Sequence, residues 1–444
     1  MTPGPDARTV AGPLLERAIA DAKPNYTAGE AVTEANRCLY CHDAPCVQAC
    51  PTGIDVPTFI RKIGTGNLHG SARVILSANL LGYSCARVCP VEVLCAGACV
   101  YNAWHRPPIA IGRLQRHAVE AAFAEGNAAR LLSRAPANGR KVACVGAGPA
   151  SLACAGYLAL EGCAVTLFEK RALAGGLNTS GVAPYKMHVE GAIAEVDFIR
   201  TLGVDIRTGV EVGRDLDPAA LLRDHDAVFL GPGLGADSRL EIPGADGPGV
   251  VGAVDWIERM KTEAGYALER IGRAVVLGGG NTAIDAAREL ARLGVRDVVM
   301  LYRRTEAEMS GYRHELDLAR REGVRLIERA VPAAFAREGG RLTGVTLSDG
   351  RSFPCELAVV AIGQGRLRAL LTAFPGVAVD DKGYARVDPA TGATGHPKVW
   401  AGGDAIGGEL VVTAAQDGKR AARAIARALG LPARPDAPMN AGHV

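Results

Sequence analysis

Two cysteine runs organise this sequence: CLYCHDAPCVQACP at residues 38–51 and CARVCPVEVLCAGAC at residues 85–99. The first run is spaced C-x2-C-x4-C-x3-C and is followed by Pro51, and the second is spaced C-x3-C-x5-C-x3-C. Eight of the twelve cysteines therefore lie in residues 38–99. Short loops with proline and glycine let successive thiolates converge on a soft metal centre, so the two runs indicate metal binding.

Iron–sulfur clusters, zinc and disulfides are three explanations of these runs. The first run is similar to the C-x2-C-x2-C-x3-C-P run of two-cluster ferredoxins, in which the fourth cysteine binds the other cluster. Two zinc sites would also use eight cysteines, but zinc quartets are typically paired C-x2–4-C knuckles. Disulfides need an oxidising compartment, and the first 30 residues do not resemble a secretory signal peptide. The long gaps and the prolines after Cys50 and Cys89 favour two clusters.

Length and charge argue against several classes of function. A chain of 444 residues, 48% of them hydrophobic, is expected to form two to four domains. The net charge is +3 and no basic run is interleaved with aromatic residues, so we expect no nucleic-acid partner. The longest uncharged run, residues 142–160, contains Gly, Pro and Ser, which favours a strand–turn–helix over a membrane span. We therefore expect a cytoplasmic protein without a membrane partner.

Residues 31–125 are predicted to form a small, mostly helical domain around the cysteines. Short helices are expected at residues 55–65 and 71–78, and an amphipathic helix at residues 109–123. The apolar stripe of the amphipathic helix contains Ile111, Leu114, Ala118, Val119 and Ala122. Its opposite side contains Arg113, Arg116, His117 and Glu120. Gln115 lies on the apolar stripe, where a buried amide needs a partner, so it either bonds a nearby carbonyl or completes the coordination of a cluster.

A glycine fingerprint in the middle of the chain is the first of two dinucleotide signatures. It follows a predicted buried strand at residues 141–145, and its G-x-G-x-x-G positions are held by Gly146, Gly148 and Ser151. The next strand, residues 165–168, ends in Glu169, an acid that suits the hydroxyls of an unphosphorylated ribose. Gly176 belongs to a Gly-Gly pair that lets the chain pass close to a cofactor. This pattern predicts a site for FAD or NAD.

The second fingerprint follows a predicted strand at residues 274–277. Its turn and the start of its helix contain Gly278, Gly280, Asn281 and Thr282. The next strand, residues 298–302, ends in basic residues instead of an acid: Arg303 and Arg304, with Arg313 further along. Arginines at this point suit the 2′-phosphate of NADPH, unless they belong to a solvated turn.

Gly403 and Asp404 follow a predicted strand near residue 399, and a helix is predicted to begin near Val412. The positive N-terminus of this helix, aimed at the pyrimidine edge of a flavin, would stabilise the anionic reduced form. Asp404 would bond the ribityl or phosphate region of the cofactor, unless it only caps the helix. No C-x-x-C lies between the two nucleotide sites, so we expect no dithiol of the thioredoxin-reductase type.

The order of these parts, over about residues 31–430, resembles one family. The chain looks like the flavin and iron–sulfur half of dihydropyrimidine dehydrogenase and like the small subunit of glutamate synthase. It is most similar to the electron-input subunit of the bacterial dihydropyrimidine enzymes. The motifs that carry this resemblance are GAGPAS at residues 146–151, GGLNTS at 175–180 and IGRLQ at 111–115.

The resemblance implies an α/β fold in which a small all-α iron–sulfur domain precedes two Rossmann-like domains of the adrenodoxin-reductase type. We expect a cluster domain at residues 1–130, an FAD domain at 131–236 and 364–444, and an NAD(P) domain at 237–363. One 4Fe-4S cluster would be held by Cys38, Cys41, Cys46 and Cys99. The other would be held by Cys50, Cys89, Cys95 and Gln115, and Cys85 would be spare. Lys186 is the catalytic candidate, and it is a departure from the family, since the dihydropyrimidine enzymes have an arginine near the flavin at that place.

The activity implied by the resemblance is electron transfer from NAD(P)H through FAD and two 4Fe-4S clusters. The acceptor would be an FMN-containing partner subunit that reduces uracil or thymine to the 5,6-dihydropyrimidine. The apolar residues before the second cysteine run, Leu80, Leu81 and Tyr83, are candidates for the partner interface, unless they pack the core. The alternatives are the small subunit of glutamate synthase and a zinc-stabilised redox sensor that binds nucleotide without turnover.

Overall fold

The computed structural model describes residue 10 and residues 12–126, 128–268 and 271–432. The expected domain limits at residues 1 and 444 lie outside these ranges. The first part of the chain is helical, with α1 (Ala28–Ala35), α2 (Pro45–Gln48), α3 (Val56–Gly64), α4 (Leu68–Ala78), α5 (Gly82–Val88) and α6 (Ile111–Ala124). The helices expected at residues 55–65, 71–78 and 109–123 are thus present as α3, α4 and α6.

Polar side chains fix where the first helices of this domain begin. The Thr27 hydroxyl accepts from the Glu30 amide while the Glu30 carboxylate accepts from the Thr27 amide, which forms a capping box at the start of α1. Asp55 accepts from the Thr58 amide at the start of α3, and Asn67 caps α4 in the same way. Each cap satisfies an amide that has no partner within its helix.

The rest of the chain alternates strands and helices. The strands are β1 (Lys141–Val145), β2 (Ala164–Glu169), β3 (Val204–Thr208), β4 (Ala227–Leu230), β5 (Val250–Gly252), β6 (Arg273–Leu277), β7 (Asp297–Leu301), β8 (Arg325–Ile327), β9 (Pro332–Glu338), β10 (Arg341–Leu347), β11 (Ser352–Pro354), β12 (Leu357–Val360) and β13 (Val399–Ala401). The helices are α7 (Pro149–Leu160), α8 (Leu177–Ser180), α9 (Val189–Thr201), α10 (Pro218–Asp224), α11 (Ala253–Thr262), α12 (Asn281–Arg292), α13 (Arg313–Arg321), α14 (Arg368–Thr372) and α15 (Val411–Ala428).

Two parallel sheets and one antiparallel sheet are built from these strands. The first sheet has the order β13-β4-β1-β2-β3, and the second has the order β5-β12-β6-β7-β8. Their central strands, such as β4 and β12, are buried along their whole length because helices cover both faces. The antiparallel sheet, β11-β10-β9, is inserted between β8 and β12. The predicted α/β fold, with a small helical domain ahead of Rossmann-type sheets, is confirmed.

The first sheet is discontinuous in sequence. Strand β13 pairs with β4, although the whole second sheet lies between them in the chain. The two segments that connect the first sheet to the second run side by side. The Gly235 amide donates to the Gly365 carbonyl, and the Gly365 amide donates to the Ala236 carbonyl. The chain thus leaves the first sheet near residue 236 and returns to it near residue 365.

The helical domain packs directly on the first sheet's helices. Leu80 lies against α7 at Gly156, where an added Cβ would meet the leucine side chain at 2.6 Å. Leu80 and Leu81 are fully buried in the hydrophobic core that the two parts share. The proposal that these two leucines contact a partner is therefore wrong, and the alternative that they pack the core is confirmed.

The polar side of α6 is covered by an earlier segment of the chain. Arg116 is only 7% exposed, because residues 21–27 cross this side of the helix. Its guanidinium bonds the carboxylates of Asp21 and Glu120, at 2.7 and 2.6 Å. The two carboxylates compensate the charge that burial would otherwise leave unpaired. None of the helices in the described ranges combines the length and the apolar character of a membrane span.

Candidate functional site

One large cavity, of about 1090 Å³, lies where the helical domain and the two parallel sheets meet. The turns after β1, β2, β4 and β13 line one part of it, and the start of α12 lines another. The cavity also reaches Cys89 in the helical domain. The carboxyl ends of parallel strands are the usual place for a bound dinucleotide.

The first fingerprint forms a close-packed glycine cradle at this cavity. Gly146 has φ +86°, and a Cβ there would lie 2.6 Å from the Gly231 carbonyl oxygen. Gly176 has φ +58°, and a Cβ there would lie 2.6 Å from Gly148 Cα. Gly148 precedes the first turn of α7, whose amides point toward the cavity edge. Side chains larger than glycine would fill this space, which lies at the N-terminus of a helix. The space therefore fits the pyrophosphate of FAD.

Glu169 and Ser151 also belong to the first signature, but only Glu169 lies at the cavity. The Glu169 carboxylate lies at the cavity edge and accepts from the Ala147 and Arg171 amides, both at 2.8 Å, so it faces the expected place of a ribose. Ser151 instead lies beneath the turn, fully buried, with its hydroxyl against the Val145 carbonyl. Ser151 therefore packs α7 on β1 and does not line the cavity.

Asn178 is a cavity residue that the sequence did not reveal. It is 2% exposed, and its Oδ1 has no hydrogen-bond partner, although it lines the cavity. Its Nδ2 donates to the Ser84 hydroxyl at 2.9 Å, and that hydroxyl donates in turn to Glu195. An unpartnered buried acceptor fits a cofactor that brings its own donor. Asn178 lies in the GGLNTS motif at residues 175–180, but the motif alone does not indicate this role, because the partners of Asn178 come from α5 and α9.

The C-terminal signature also lies at the cavity. Gly403 and Asp404 line it after β13, and burial followed by the nearby Glu409 carboxylate raises the pKa of Asp404 to about 6. Helix α15 begins at Val411, and Leu410 and Val411 are the residues that line the cavity at its N-terminus. Val412, expected there, is one position further along and buried.

The second fingerprint reaches the same cavity from the other sheet. Asn281 and Thr282, at the start of α12, line it, and Asn281 Oδ1 accepts from the Tyr312 amide at 2.9 Å. Gly278 and Gly280 form the turn before α12, where Gly278 has φ +150°. Arg303, Arg304 and Arg313 lie on the surface beyond β7 and do not line the cavity.

Lys186 lines the cavity between the two fingerprints. Its ammonium lies 2.8 Å from Asp285 on α12 and 3.4 Å from Glu315 on α13. Burial alone would lower the pKa of Lys186, but these two carboxylates outweigh it and raise the pKa. Glu315 also pairs with the buried Arg288. Lys186 is therefore held as a cation by two helices of the second sheet.

The structure gathers the eight cysteines of the two runs into two groups. The first group contains Cys38, Cys41, Cys46 and Cys99. Burial raises the pKa of Cys46 to about 12, and the other three sulfurs of this group add to the shift. The same four residues line a small depression in the helical domain. Four sulfurs from two distant runs converge here, which fits one cluster.

The second group contains Cys50, Cys85, Cys89 and Cys95. The pKa of Cys89 is raised well above its usual value, first by a hydrogen bond with Cys85 and then by burial and by Cys95 and Cys50. Burial and then Cys50 likewise raise the pKa of Cys95 to about 12. Cys85, expected to be spare, thus lies against this group. All twelve cysteines lie in described residues and none forms a disulfide.

Gln115 is buried on α6, as its position on the apolar stripe predicts. Its Nε2 donates to the Gly82 carbonyl at 2.8 Å, at the start of the helix that carries Cys85. The hydrogen bond to a nearby carbonyl is therefore present. This bond uses the amide nitrogen and leaves Oε1 as the atom that would bind iron.

Comparisons with known proteins agree with the two-part construction of the chain. Residues 16–127 match the family described as dihydropyrimidine dehydrogenase domain II, 4Fe-4S cluster. Residues 140–418 match the pyridine nucleotide-disulphide oxidoreductase family. The resemblance that the sequence motifs indicated is confirmed by these matches and by the relatives below.

Two relatives from Escherichia coli K12 align along most of the chain. The NAD-dependent dihydropyrimidine dehydrogenase subunit PreT is 35% identical over 412 residues, which covers 90% of this chain and 95% of that protein. The glutamate synthase (NADPH) small chain is 32% identical over 436 residues, which covers 90% and 92%. Among solved structures, the thioredoxin reductase of T. acidophilum has a TM-score of 0.53, with 22% identity over 64% of this chain and 98% of that chain. At that identity the similarity supports the fold alone.

Proposed function

Because the chain belongs to the pyridine nucleotide-disulphide oxidoreductase family and begins with a dihydropyrimidine dehydrogenase domain II, we propose that it is an electron-input subunit. It takes electrons from NAD(P)H and passes them through FAD and two 4Fe-4S clusters to an FMN-containing partner, which reduces uracil or thymine. The proposed domains are the cluster domain at residues 1–130, the FAD domain at 131–236 and 364–444, and the NAD(P) domain at 237–363. The proposed location is the cytoplasm.

The observation that carries this proposal is the continuity of the cavity. The first fingerprint, the start of α12 and Cys89 all line this one cavity. When bound, FAD and iron–sulfur clusters supply the change from two-electron to one-electron transfer. The chain's own residues have these roles: the glycine turns hold phosphates, and Glu169 and Asn178 orient the flavin cofactor. Lys186, held at the cavity wall by Asp285 and Glu315, is the catalytic candidate.

We propose two clusters because the sulfurs form two groups. Cys38, Cys41, Cys46 and Cys99 hold one cluster, and Cys50, Cys89, Cys95 and Gln115 hold the other. The second set competes with an all-sulfur set in which Cys85 replaces Gln115, since Cys85 lies beside Cys89. The iron content of Cys85→Ser and Gln115→Leu proteins distinguishes the two ligand sets.

The proposed electron donor is NADPH, with NADH as the alternative. Arg303 and Arg304 follow β7, which is where the ribose of the second nucleotide would lie, and both side chains are exposed, as contact with a 2′-phosphate requires. The names of the two relatives point in different directions, because one is described as NAD-dependent and the other as an NADPH enzyme.

Replacing either arginine should change the preference between the two donors. In Arg303→Ala and Arg304→Ala, kcat/KM for NADPH should fall about tenfold, since a hydrogen bond to a charged group contributes about 1.5–3 kcal/mol and about 1.4 kcal/mol is a factor of ten. The kcat/KM for NADH should stay within about twofold of the wild-type value. Steady-state dye reduction measures kcat/KM for both donors, with Arg223→Ala as the control, because Arg223 is exposed and, within the part of the chain that the structure describes, pairs with its neighbour Asp224. Equal losses with both donors would refute the NADPH assignment.

A glutamate-forming partner is the second candidate, favoured by the similar identity of the glutamate synthase small chain. The purified chain alone should reduce artificial dyes with NAD(P)H and should not reduce uracil or thymine. Adding an FMN-containing dihydropyrimidine partner should create that activity. If the chain instead drives formation of glutamate from glutamine and 2-oxoglutarate by a large subunit, the second candidate is correct. Pyrimidine reduction by the isolated chain would contradict the subunit proposal.

A further inference from the structure

Lys419 is a buried cation that joins the flavin-side helix α15 to the cluster domain. It is 5% exposed. Its Nζ donates to the carbonyl of Ala78 at 2.9 Å and to the carbonyl of Thr52 at 3.1 Å. Ala78 is the last residue of α4, so its carbonyl is one of those that the helix leaves without an internal partner. Both acceptors are uncharged, so these bonds orient the ammonium without neutralising it.

The loop that Lys419 contacts also carries a cluster cysteine. The Thr52 hydroxyl lies 3.3 Å from the Cys50 sulfur, and Lys419 bonds the carbonyl of the same threonine. Cys50 belongs to the second sulfur group, the one that Cys89 connects to the cavity. The other end of α15 borders the same cavity at Leu410 and Val411. One helix thus reaches the flavin site at its start and brings a positive charge to the cluster site on its third turn.

We propose that Lys419 is a positioning residue whose charge raises the reduction potential of the cluster held by Cys50. This inference rests on the proposed function, because it requires that Cys50 hold a cluster. Burial, followed by the nearby Arg423, lowers the pKa of Lys419 to about 8, so its ammonium is charged below that pH. Reduction adds one negative charge to the cluster, and a nearby positive charge stabilises the reduced state more than the oxidised state. The potential of a cluster depends on such surrounding charges and hydrogen bonds. The lysine thereby favours transfer of an electron from the cavity to this cluster.

The competing explanation is that Lys419 only ties α15 to the loop and to α4. Lys419→Gln separates the two roles, because the amide keeps an N–H donor and loses the charge. Lys419→Arg keeps the charge and several donors. Lys419→Met keeps the length of the stem, and it serves as the uncharged variant if the glutamine protein does not hold its clusters. Lys398 offers a matched control, since its ammonium also donates to two backbone carbonyls, those of Leu222 and His225 at the far end of β4.

The measurement is an EPR-monitored redox titration of the anaerobically purified holoprotein. In Lys419→Gln, the equilibrium constant for reduction of one cluster should fall about tenfold, which is a decrease of ~59 mV for a one-electron couple. The other cluster should keep its potential, and Lys419→Arg and Lys398→Met should match wild type. An unchanged potential in Lys419→Gln, or in Lys419→Met where that variant replaces it, would overturn the inference even if the melting temperature falls. A wild-type protein without a cluster signal would overturn the proposed function itself.

Discussion

Cys46→Ala protein, purified without oxygen, should contain about half the iron and acid-labile sulfide of wild type. Wild type should contain about eight of each, because two 4Fe-4S clusters are proposed. Cys46 belongs to the group of Cys38, Cys41 and Cys99, whose sulfurs raise its pKa, whereas Cys85, Cys95 and Cys50 are the cysteines that raise the pKa of Cys89. Loss of one thiolate should therefore remove one cluster and leave the other intact. Iron, sulfide and zinc analysis of the same samples measures the effect.

Variants of the second group show which residue completes it. Cys85→Ser should keep the full iron content, and Gln115→Leu should perturb the potential or the occupancy of one cluster only. The reverse pattern, with iron lost in Cys85→Ser and an unchanged Gln115→Leu protein, would make Cys85 the ligand. About two zinc ions per wild-type chain, without labile sulfide, would contradict the cluster proposal as a whole.

Gly146→Ala should abolish flavin binding. A Cβ at this position would lie 2.6 Å from the Gly231 carbonyl oxygen and 2.8 Å from Pro232 Cα, and both are main-chain atoms that line the cavity wall. Backbone cannot move aside as a flexible side chain can, so the turn must shift and the cradle for the pyrophosphate changes shape. The dissociation constant of the flavin should rise at least about tenfold, which is about 1.4 kcal/mol in binding, and the ratio of flavin to protein absorbance after purification should fall.

Gly209→Ala is the matched control for this experiment. Gly209 also has a positive φ, +72°, and follows β3 of the same sheet, but nothing lies within 4 Å of its added Cβ. Both variants therefore bear a similar backbone strain, of order 1–2 kcal/mol, and only Gly146→Ala also bears the collision. Equal flavin content in the two variants would show that the cradle does not depend on Gly146.

The parts of the site that the sequence predicted are those fixed by local structure. A glycine turn between a buried strand and a helix has few possible shapes, so Gly146 lies in the turn after β1 with a positive φ, and Gly148 and Glu169 line the cavity. Helix α6 was likewise predicted from its apolar stripe, and Gln115 is buried on it. These features depend on residues within a short stretch of chain.

The parts that the sequence did not predict depend on contacts between distant segments. The burial of Arg116 follows from residues 21–27, which cross α6 and supply Asp21. Lys186 meets Asp285 and Glu315 only because the two sheets face one another across the cavity. Asn178 gains its role from Ser84, which lies in another domain. No periodicity or motif along the chain encodes such pairs, since each residue alone has an ordinary polar side chain.

The most direct test of the account is whether NAD(P)H reduces the clusters of the isolated chain. Wild-type holoprotein should be mixed with NADPH under anaerobic conditions and frozen for EPR, with the flavin followed by absorbance in parallel. We expect flavin reduction together with the signal of a reduced 4Fe-4S cluster, and neither should develop in Gly146→Ala protein. Flavin reduction in a protein whose intact clusters stay oxidised and EPR-silent would contradict the claim that this chain carries electrons from NAD(P)H to its clusters.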